Sequence, residues 1–429
     1  MTHLEDGYVI DVPYPTFVHR QAMPLWLTCL IQLKGFQAPN IQQPYRYLEL
    51  GCAMGIHLHL AAAANPNGHF VGVDFNEAQL LVAQEGINKT NIPNLEFIHA
   101  SFKSLLEQSL EPFDFIVTHG VWSWVSPENQ QILLQLINCL LKPGGVVYCS
   151  YMSHPGADQF SSVQKLMFEM SRNLRGNSAS KAVQSLNFIR QLGKCEQGVF
   201  NQFAGLNSKL EELSRDKPNY IAHDFLSEHW HPQHSADMIR NFGQHDIGFV
   251  TGAGIAEYLD AISLKPEVRR QMQQLPLVTL QETVRDMALN TLQRQDIYIR
   301  SRQQLTAEQW QKKLQTIMLG LLPNAPVGQD LRLDPKIGAI TDVVPIAEKI
   351  LKILIQGTLS IGDLFKQLQL RISIFQLSDI TLLLMWAGYI HPVQSVLHPE
   401  AMQNTNEWMK EQNLAWRASA LHGTALELV

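Results

Sequence analysis

Residues 45–75, YRYLELGCAMGIHLHLAAAANPNGHFVGVDF, carry the pattern that decides the fold. An apolar run (45–50) leads into a loop with two glycines, a helical stretch follows, and a second apolar run (69–75) ends beside an acidic residue. Strand, loop, helix and strand in this order form the repeating unit of parallel sheets. The stretch therefore predicts a parallel sheet whose first loop can approach a ligand closely.

The same alternation continues to about residue 152. The further strand candidates are LEFIHA (95–100), FDFIVT (113–118) and VVYCSYM (146–152), and the helical stretches are EAQLLVAQEGINK (77–89) and PENQQILLQLINCLL (127–141). Asn76 and Ser126 are expected to cap the starts of these two helices, and KPGG (142–145) is expected to end the second one before the next strand. Mostly apolar strands predict a doubly wound, Rossmann-like α/β sheet that is covered on both faces.

The chain outside this sheet predicts further units. The expected divisions are an N-terminal lid or helical lead-in (1–40), the Rossmann-like domain (41–155), a mainly helical regulatory or substrate domain (156–330), and a winged-helix-like domain with a tail (331–429). Within the helical domain, short strands are expected near 247–251 and 297–300.

Composition narrows the class of protein. The 429 residues are 45% hydrophobic and 17% charged with a net charge of −6, which fits a globular protein and argues against a nucleic-acid partner. Five cysteines without a CxxC pair predict reduced thiols and a cytoplasmic location. The N-terminus lacks the pattern of a signal peptide, and apolar runs such as ITLLLMWAGYI (380–390) are too short to cross a bilayer. The protein is therefore not expected to be embedded in a membrane, and no feature indicates its oligomeric state.

The glycine loop and the acid after the second strand predict a nucleoside-cofactor site. An acidic residue opens the loop and small residues follow it, namely Glu49, Gly51, Cys52, Ala53 and Gly55. This order is close to the acidic-x-Gly-x-Gly-x-Gly loop of class I S-adenosylmethionine-dependent methyltransferases. Ala53 takes the place of the middle glycine, and an alanine suits this position if the residue has a negative φ. Asp74 ends the second strand, where an acidic side chain binds ribose hydroxyl groups. The alternative role of Asp74 is to cap a helix.

The charge of this loop favours S-adenosylmethionine over a dinucleotide. Glu49 repels phosphate but attracts a methionyl ammonium group, and residues 47–88 contain no lysine or arginine. Further cofactor contacts are expected from the ends of the next strands, at Phe75, Ser101, Phe102 and Thr118. Ser101 is expected to bind the exocyclic amine of adenine, and Phe75 or Phe102 to contact its ring.

Two later segments resemble a known family. They are VTHGVWSWVSPENQ (117–130) and LLKPGGVVYCSYMSHPGA (140–157). Together with ELGCA and GVDF they look like the bacterial protein-lysine methyltransferases that modify outer-membrane proteins, class I enzymes with a methyltransferase regulatory domain. YPTFVHRQ (14–21), YIAHDFLSEHWHP (220–232) and GFVTGAGIAEYLD (248–260) are similar to other parts of that family. The resemblance covers about residues 8–300 and implies S-adenosylmethionine as the cofactor and a lysine of a protein or peptide as the acceptor.

The resemblance also implies that THGVWSWV (118–125) lines the cavity between cofactor and acceptor. A lysine, with a reference pKa of about 10.4, must lose a proton before it attacks a methyl group, and His119 is the expected proton acceptor. Trp122 and Trp124 are expected to form an aromatic wall for the substrate, with core packing as the alternative. The remaining candidates for the same cavity are Tyr14 and His19, as catalytic residues, and Tyr151, as a substrate contact.

Other functions have weaker support. The histidines of HWHPQH (229–234) lack a cysteine or carboxylate that would complete a zinc site, so no metal is expected. The winged-helix-like segment carries few basic residues, which favours packing or protein interaction over DNA binding. Two alternatives stay open: N- or O-methylation of a small molecule or a ribosomal peptide natural product, and a non-catalytic cofactor-binding or interaction protein.

Overall fold

A computed structural model describes residues 4–203, 205–328, 331–333, 340–369, 371–395 and 399–427. Its strands are β1 (Leu4–Glu5), β2 (Tyr8–Val9), β3 (Tyr45–Leu50), β4 (Gly68–Asp74), β5 (Leu95–His99), β6 (Phe113–Thr118), β7 (Leu141–Met152), β8 (Ile247–Gly252), β9 (Gln293–Arg300), β10 (Met318–Leu321), β11 (Leu359–Ser360), β12 (Ile390–Pro392), β13 (Trp416–Ser419) and β14 (Thr424–Glu427). Short 3₁₀ helices span Arg20–Ala22 and Trp122–Trp124.

The α-helices surround these strands and fill most of the second half of the chain. They are α1 (Pro24–Leu33), α2 (Ile56–Ala64), α3 (Glu77–Thr90), α4 (Phe102–Leu106), α5 (Pro127–Leu140), α6 (Asp158–Ser171), α7 (Ser178–Gly193), α8 (Val199–Gln202), α9 (Leu206–Leu213), α10 (Pro218–Phe225), α11 (Ser235–Gly243), α12 (Ile255–Tyr258), α13 (Asp260–Ser263), α14 (Pro266–Gln273), α15 (Val278–Leu289), α16 (Ala307–Thr316), α17 (Val344–Leu354), α18 (Ile361–Leu368), α19 (Ile374–Trp386) and α20 (Pro399–Glu411).

Seven strands form the central sheet, in the order β5-β4-β3-β6-β7-β9-β8. The strands from β3 to β7 are parallel, and β9 runs antiparallel to both of its neighbours. Alternate side chains enter separate cores, since Tyr47 and Phe115 pack on one face while Leu48 and Ile116 pack on the other. This confirms the doubly wound α/β sheet, and it places the carboxyl ends of β3 and β6 side by side, where such sheets bind ligands.

The helix starts agree with the expected caps. The side chain of Asn76 accepts a hydrogen bond from the backbone N–H of Gln79, and that of Ser126 accepts one from Asn129. The position of KPGG differs from the prediction, because α5 ends at Leu140 and β7 begins at Leu141. Leu141 already pairs with Phe113 of the neighbouring strand, so KPGG lies within an irregular start of β7 rather than between the helix and the strand.

The central sheet extends past residue 155 of the sequence. The expected strands near 247–251 and 297–300 are present as β8 and β9, and β9 pairs along seven residues of β7. In β9, Ile297 and Ile299 enter one core and Tyr298 enters the other, which is the alternation of a strand that is covered on both faces. The domain division at residue 155 stays a prediction, but strands from both sides of it share one sheet.

The C-terminal part combines helices with a small antiparallel sheet, and its winged-helix-like character stays a prediction. Helices α17, α18 and α19 accompany a three-stranded antiparallel sheet in the order β11-β10-β12. The boundary predicted at 330 falls on a residue outside the described ones. The tail packs on the first domain, since the ring of Trp408 in α20 lies 4.6 Å from that of His59 in α2. Among the described helices, none is long and apolar enough to cross a membrane.

Candidate cofactor and acceptor site

A cavity lies at the carboxyl ends of the parallel strands. The segments 14–17, 51–57, 74–76, 100–102 and 119–121 line it, together with residues from elsewhere in the chain. Its free volume is about 150 Å³, below the roughly 300–1,000 Å³ typical of ligand pockets. The N-terminal lead-in covers one side of this cavity through residues 14–17.

The glycine loop turns through backbone conformations that favour glycine. Gly51 has φ +82° and Gly55 has φ +66°, and a Cβ atom on Gly51 would lie 2.4 Å from Cγ2 of Val121. The loop after β3 thus packs directly on the segment after β6. Ala53 also has a positive φ, +49°, so the expectation of a negative φ at this alanine is wrong. A side chain in this region is strained, because its Cβ crowds the backbone.

Replacement of Ala53 by glycine should relieve that strain. Because a left-handed alanine costs about 1–2 kcal/mol and the added backbone freedom of glycine costs about 0.5–1 kcal/mol, we expect Ala53→Gly to raise the free energy of unfolding by about 0.5–1 kcal/mol. Urea unfolding measures this change. Ala78→Gly, an exposed helical position, is the control and should lower the free energy by a similar amount. A loss of stability in Ala53→Gly would contradict the strain.

Two buried carboxyl groups face the loop. Asp74, 8% exposed, accepts hydrogen bonds from the backbone N–H groups of Ala53 at 2.8 Å and Asn76 at 2.9 Å. Since the side chain of Asn76 caps α3, Asp74 is free to hold the glycine loop. Glu49 is 5% exposed, and its Oε2 atom has no hydrogen-bond partner among the residues that the structure describes. Burial, and then the charge of Asp74, raise the pKa of Glu49 to about 8, so this carboxyl is protonated at neutral pH.

Three histidines meet beside these carboxyl groups. The rings of His19 and His119 stack with centroids 3.4 Å apart, and Nδ1 of His57 accepts a hydrogen bond from the backbone N–H of His19 at 3.3 Å. Nδ1 of His119 lies 2.8 Å from the hydroxyl oxygen of Tyr148. Sequence reasoning missed His57, although IHLHL places it in the first turn of the helix that follows the glycine loop.

Burial keeps this histidine cluster uncharged. It lowers the pKa of His19 to about 4 and that of His57 to about 3, and it lowers the pKa of His119 well below its ordinary value. Burial thus moves the pKa of His119 away from the near-neutral range that is usual for histidine. At pH 7 the three imidazoles are neutral, and each can accept a proton only transiently, during a reaction.

Aromatic side chains from the lead-in and α10 form the other side of the site. Tyr14 lines the cavity, and its ring contacts those of Phe17 and His223 with centroids 6.0 and 5.1 Å away. Phe17, 43% exposed, also contacts Tyr220, so these rings reach from the cavity to the surface. Burial raises the pKa of Asp224, which is hydrogen-bonded to Tyr220, to about 7. Sequence reasoning missed this acid.

The two tryptophans of the WSW motif separate. They belong to a 3₁₀ turn, so they do not share a face as they would in an extended segment. Trp124 lines the cavity, and its indole N–H donates to the carbonyl of Asp224 at 3.3 Å. Trp122 is 2% exposed and packs in the core against Phe242, so its position disagrees with the predicted aromatic wall. The hydroxyl oxygen of Ser123 accepts a hydrogen bond from the backbone N–H of Met152 at 2.9 Å, which joins the motif to the end of β7.

Other candidates divide between the cavity and the core. Phe75, Ser101 and Phe102 line the cavity, and Ser101 also caps α4 by accepting the N–H of Ser104. Thr118 is fully buried and is not among the lining residues. 

Tyr151 lies outside the cavity, in disagreement with the prediction that it joins Tyr14 and His19. It is fully buried, and its hydroxyl donates to Asp296 at 2.6 Å. Asp296 also accepts from Tyr258 and Tyr298 and pairs with Arg294. The hydroxyl of Tyr151 is thus held in a polar network at the middle of β9.

Comparisons with known proteins agree with this architecture. A family model described as a methyltransferase domain matches residues 41–215, and one described as a predicted methyltransferase regulatory domain matches residues 217–300. The uncharacterized protein sll1526 of Synechocystis sp. is 28% identical over 432 residues, covering 98% of this chain and 85% of its own length. PKMT2 from Rickettsia typhi in complex with AdoHcy has the same fold, with a TM-score of 0.72 at 20% identity over 97% of this chain and 86% of that chain.

A demethylmenaquinone methyltransferase of Listeria welshimeri is 27% identical over 189 residues, which cover 43% of this chain and 75% of that enzyme. The family models, the strand order and the cavity agree on one assignment. The cofactor is S-adenosylmethionine, and the chain is an S-adenosylmethionine-dependent methyltransferase with the class I fold, in which the methyltransferase domain is followed by a match to the predicted methyltransferase regulatory domain.

Proposed function

We propose that the protein transfers the methyl group of S-adenosylmethionine to the amine of a lysine side chain in a protein or peptide. The observation that carries this proposal is the neutral histidine cluster, which adjoins both the glycine loop and a series of aromatic rings that reaches the surface. An alkyl-ammonium chain fits such a series of rings, since cation–π contacts favour it by about 0.5–2 kcal/mol. The resemblance of THGVWSWV to protein-lysine methyltransferases supports the same acceptor.

The cofactor is proposed to lie along the carboxyl ends of β3, β4 and β5. Asp74 would accept the ribose hydroxyl groups, and Glu49 the methionyl ammonium group. The loop residues Gly51, Cys52, Ala53 and Gly55, with Phe75, Ser101 and Phe102, would form the rest of the contact, and all of them line the cavity. When bound, S-adenosylmethionine supplies an electrophilic methyl group.

The chain's own residues would prepare the acceptor. A lysine must be neutral to attack, and a water-poor cavity lowers the pKa of an ammonium group because burial disfavours its charge. His119 or His19, uncharged and stacked together, would receive the proton, and the Tyr148 hydroxyl would fix the orientation of His119. Tyr14 and Trp124 would align the alkyl chain. Location in the cytoplasm is part of the proposal, and Cys29, Cys52, Cys139, Cys149 and Cys195 are all free thiols.

The role proposed for Glu49 predicts a pH dependence of cofactor binding. Its carboxyl has a pKa of about 8 in the free protein, and a neighbouring ammonium group favours the ionised form, so binding should release a proton. The affinity for S-adenosylhomocysteine should therefore rise between pH 6 and 8, by up to about tenfold per pH unit. The histidines of the cluster do not titrate in this range. Calorimetry of wild type and Glu49→Gln measures the effect, and equal pH dependence in both would contradict the role.

The class of acceptor can be tested in a lysate of the source cells. The protein is incubated with the lysate and S-adenosylmethionine that carries a tritiated methyl group, and macromolecules are then separated from small molecules. Label in the protein fraction is expected. Label only in the small-molecule fraction would reject the lysine acceptor and favour methylation of a small molecule. Cofactor binding without any transfer would favour a non-catalytic role.

A further inference from the structure

A second cavity, of about 970 Å³, lies on the far side of the lead-in from the cofactor site. Its walls come from the segments 20–26, 253–268 and 285–295 and from Met385 and Trp386 of α19. Its volume falls within the roughly 300–1,000 Å³ of small-molecule sites. None of its lining residues lines the cofactor cavity, so it is a separate space.

The wall of this second cavity contains Arg20, a cation without a counter-ion among the described residues. Two other arginines in the wall are paired: Arg294 bonds to Glu282, Asp286 and Asp296, and Arg285 bonds to Asp260 and Glu282. Arg20 is partly buried, and its guanidinium lies 5.0 Å from the centroid of the Trp26 ring. Within the part of the chain that the structure describes, no carboxylate pairs with Arg20 and no hydrogen bond reaches its guanidinium.

The charges around this space leave Arg20 without compensation. Asp286, one of two acids among the described lining residues, pairs with Arg294 at 2.7 Å. The other, Glu257, is exposed, as is the lining cation Lys265. Taking an arginine partly out of water without a counter-ion is costly, and burial lowers the pKa of Arg20 from its ordinary value. A bound anion would remove that cost.

We propose that the second cavity binds a small anionic ligand, a carboxylate or a phosphate, through the guanidinium of Arg20. Arginine binds both groups through paired N–H donors, and the flat ring of Trp26 beneath it keeps the donors in place.

The position of Arg20 in the chain couples the two cavities. His19 lines the cofactor cavity, and the next two residues, Arg20 and Gln21, line the second one. Arg20 begins a short 3₁₀ helix, Arg20–Ala22, directly after His19, so this segment joins the walls of the two cavities. An anion that fixes Arg20 therefore fixes the backbone that positions His19, and by linkage each ligand changes the affinity of the other.

Calorimetry with two probes, glutarate and inorganic phosphate, tests the anion site while excess S-adenosylhomocysteine fills the cofactor site. At least one probe should bind wild type saturably, and Arg20→Gln should weaken that binding about tenfold or more. The preferred probe distinguishes a carboxylate from a phosphate ligand. Arg46→Gln is the matched control, since Arg46 also lies over an aromatic ring, Phe113 at 4.7 Å, but outside the cavity.

The proposed anion site would be overturned if neither probe bound wild type saturably. Equal binding of the probe by Arg20→Gln and wild type would overturn it as well. If Arg20→Gln does not fold, Ala256→Trp adds bulk to the cavity wall, leaves Arg20 in place, and should abolish binding. Coupling is read from the affinity for S-adenosylhomocysteine, which should change about fivefold with the bound probe in wild type. An unchanged affinity would overturn the coupling.

Discussion

Asp74→Ala is expected to weaken the binding of S-adenosylhomocysteine by about a hundredfold or more. The change removes the acceptor proposed for the ribose hydroxyl groups, and it removes the hydrogen bonds that tie Ala53 and Asn76 to the end of β4. A hydrogen bond to a charged group is worth about 1.5–3 kcal/mol, and about 1.4 kcal/mol corresponds to a tenfold change in affinity. Isothermal titration calorimetry at pH 7.5 measures the loss.

Asp114→Ala provides a matched control for this experiment. Asp114 also lies in a central strand and accepts a backbone N–H, that of Arg46 at 2.8 Å, and it pairs with Lys142 at 2.8 Å. It does not line the cavity, so its loss should leave cofactor affinity unchanged. Binding by Asp74→Ala as tight as by wild type would contradict the proposed position of the cofactor.

Arg294→Met is expected to lower the free energy of unfolding by about 3–5 kcal/mol, because it leaves buried carboxylates without their counter-ion. The Arg294 side chain is 1% exposed and bonds to Glu282 at 2.9 Å, Asp286 at 2.7 Å and Asp296 at 3.1 Å. Methionine is nearly as long as arginine, so the loss of stability comes mainly from the missing charge and less from an empty space in the core. Urea unfolding, followed by circular dichroism, measures the effect.

Arg190→Met is the control for the buried network. Arg190 pairs with Glu211 on the surface of the helical region, where solvent screens the interaction, so its replacement should change stability little. A similarly small effect of Arg294→Met would show that the carboxylates around it are not held ionised by this arginine.

The parallel sheet could be predicted from local signals. The strands β3, β4 and β6 are short, mostly apolar runs, and Asn76 and Ser126 cap helices at the expected positions. The edge pair of β9 and β8 was predicted only as short strands in a helical region. Its place in the central sheet depends on pairing between residues that are far apart in the chain, as in Tyr148 of β7 with Ile297 of β9, which no local pattern reveals.

The cofactor side of the site was easier to predict than the acceptor side. Glu49 and Asp74 lie directly after or within buried strands, so their position follows from the sheet. Trp122 and Tyr151 were misplaced because an aromatic residue at a strand end can face either the cavity or the core. His57, Tyr220 and Asp224 reach the site only through the packing of α2 and α10 against the lead-in.

The chemical identity of the methylated atom tests the proposed function most directly. Protein labelled by wild type with tritiated S-adenosylmethionine is hydrolysed to amino acids, which are separated and counted, with Asp74→Ala as the blank. We expect the label to co-elute with N-ε-methylated lysines and to be absent with Asp74→Ala. Label in any other amino acid, in a base-labile methyl ester or only in small molecules would contradict transfer to a lysine amine.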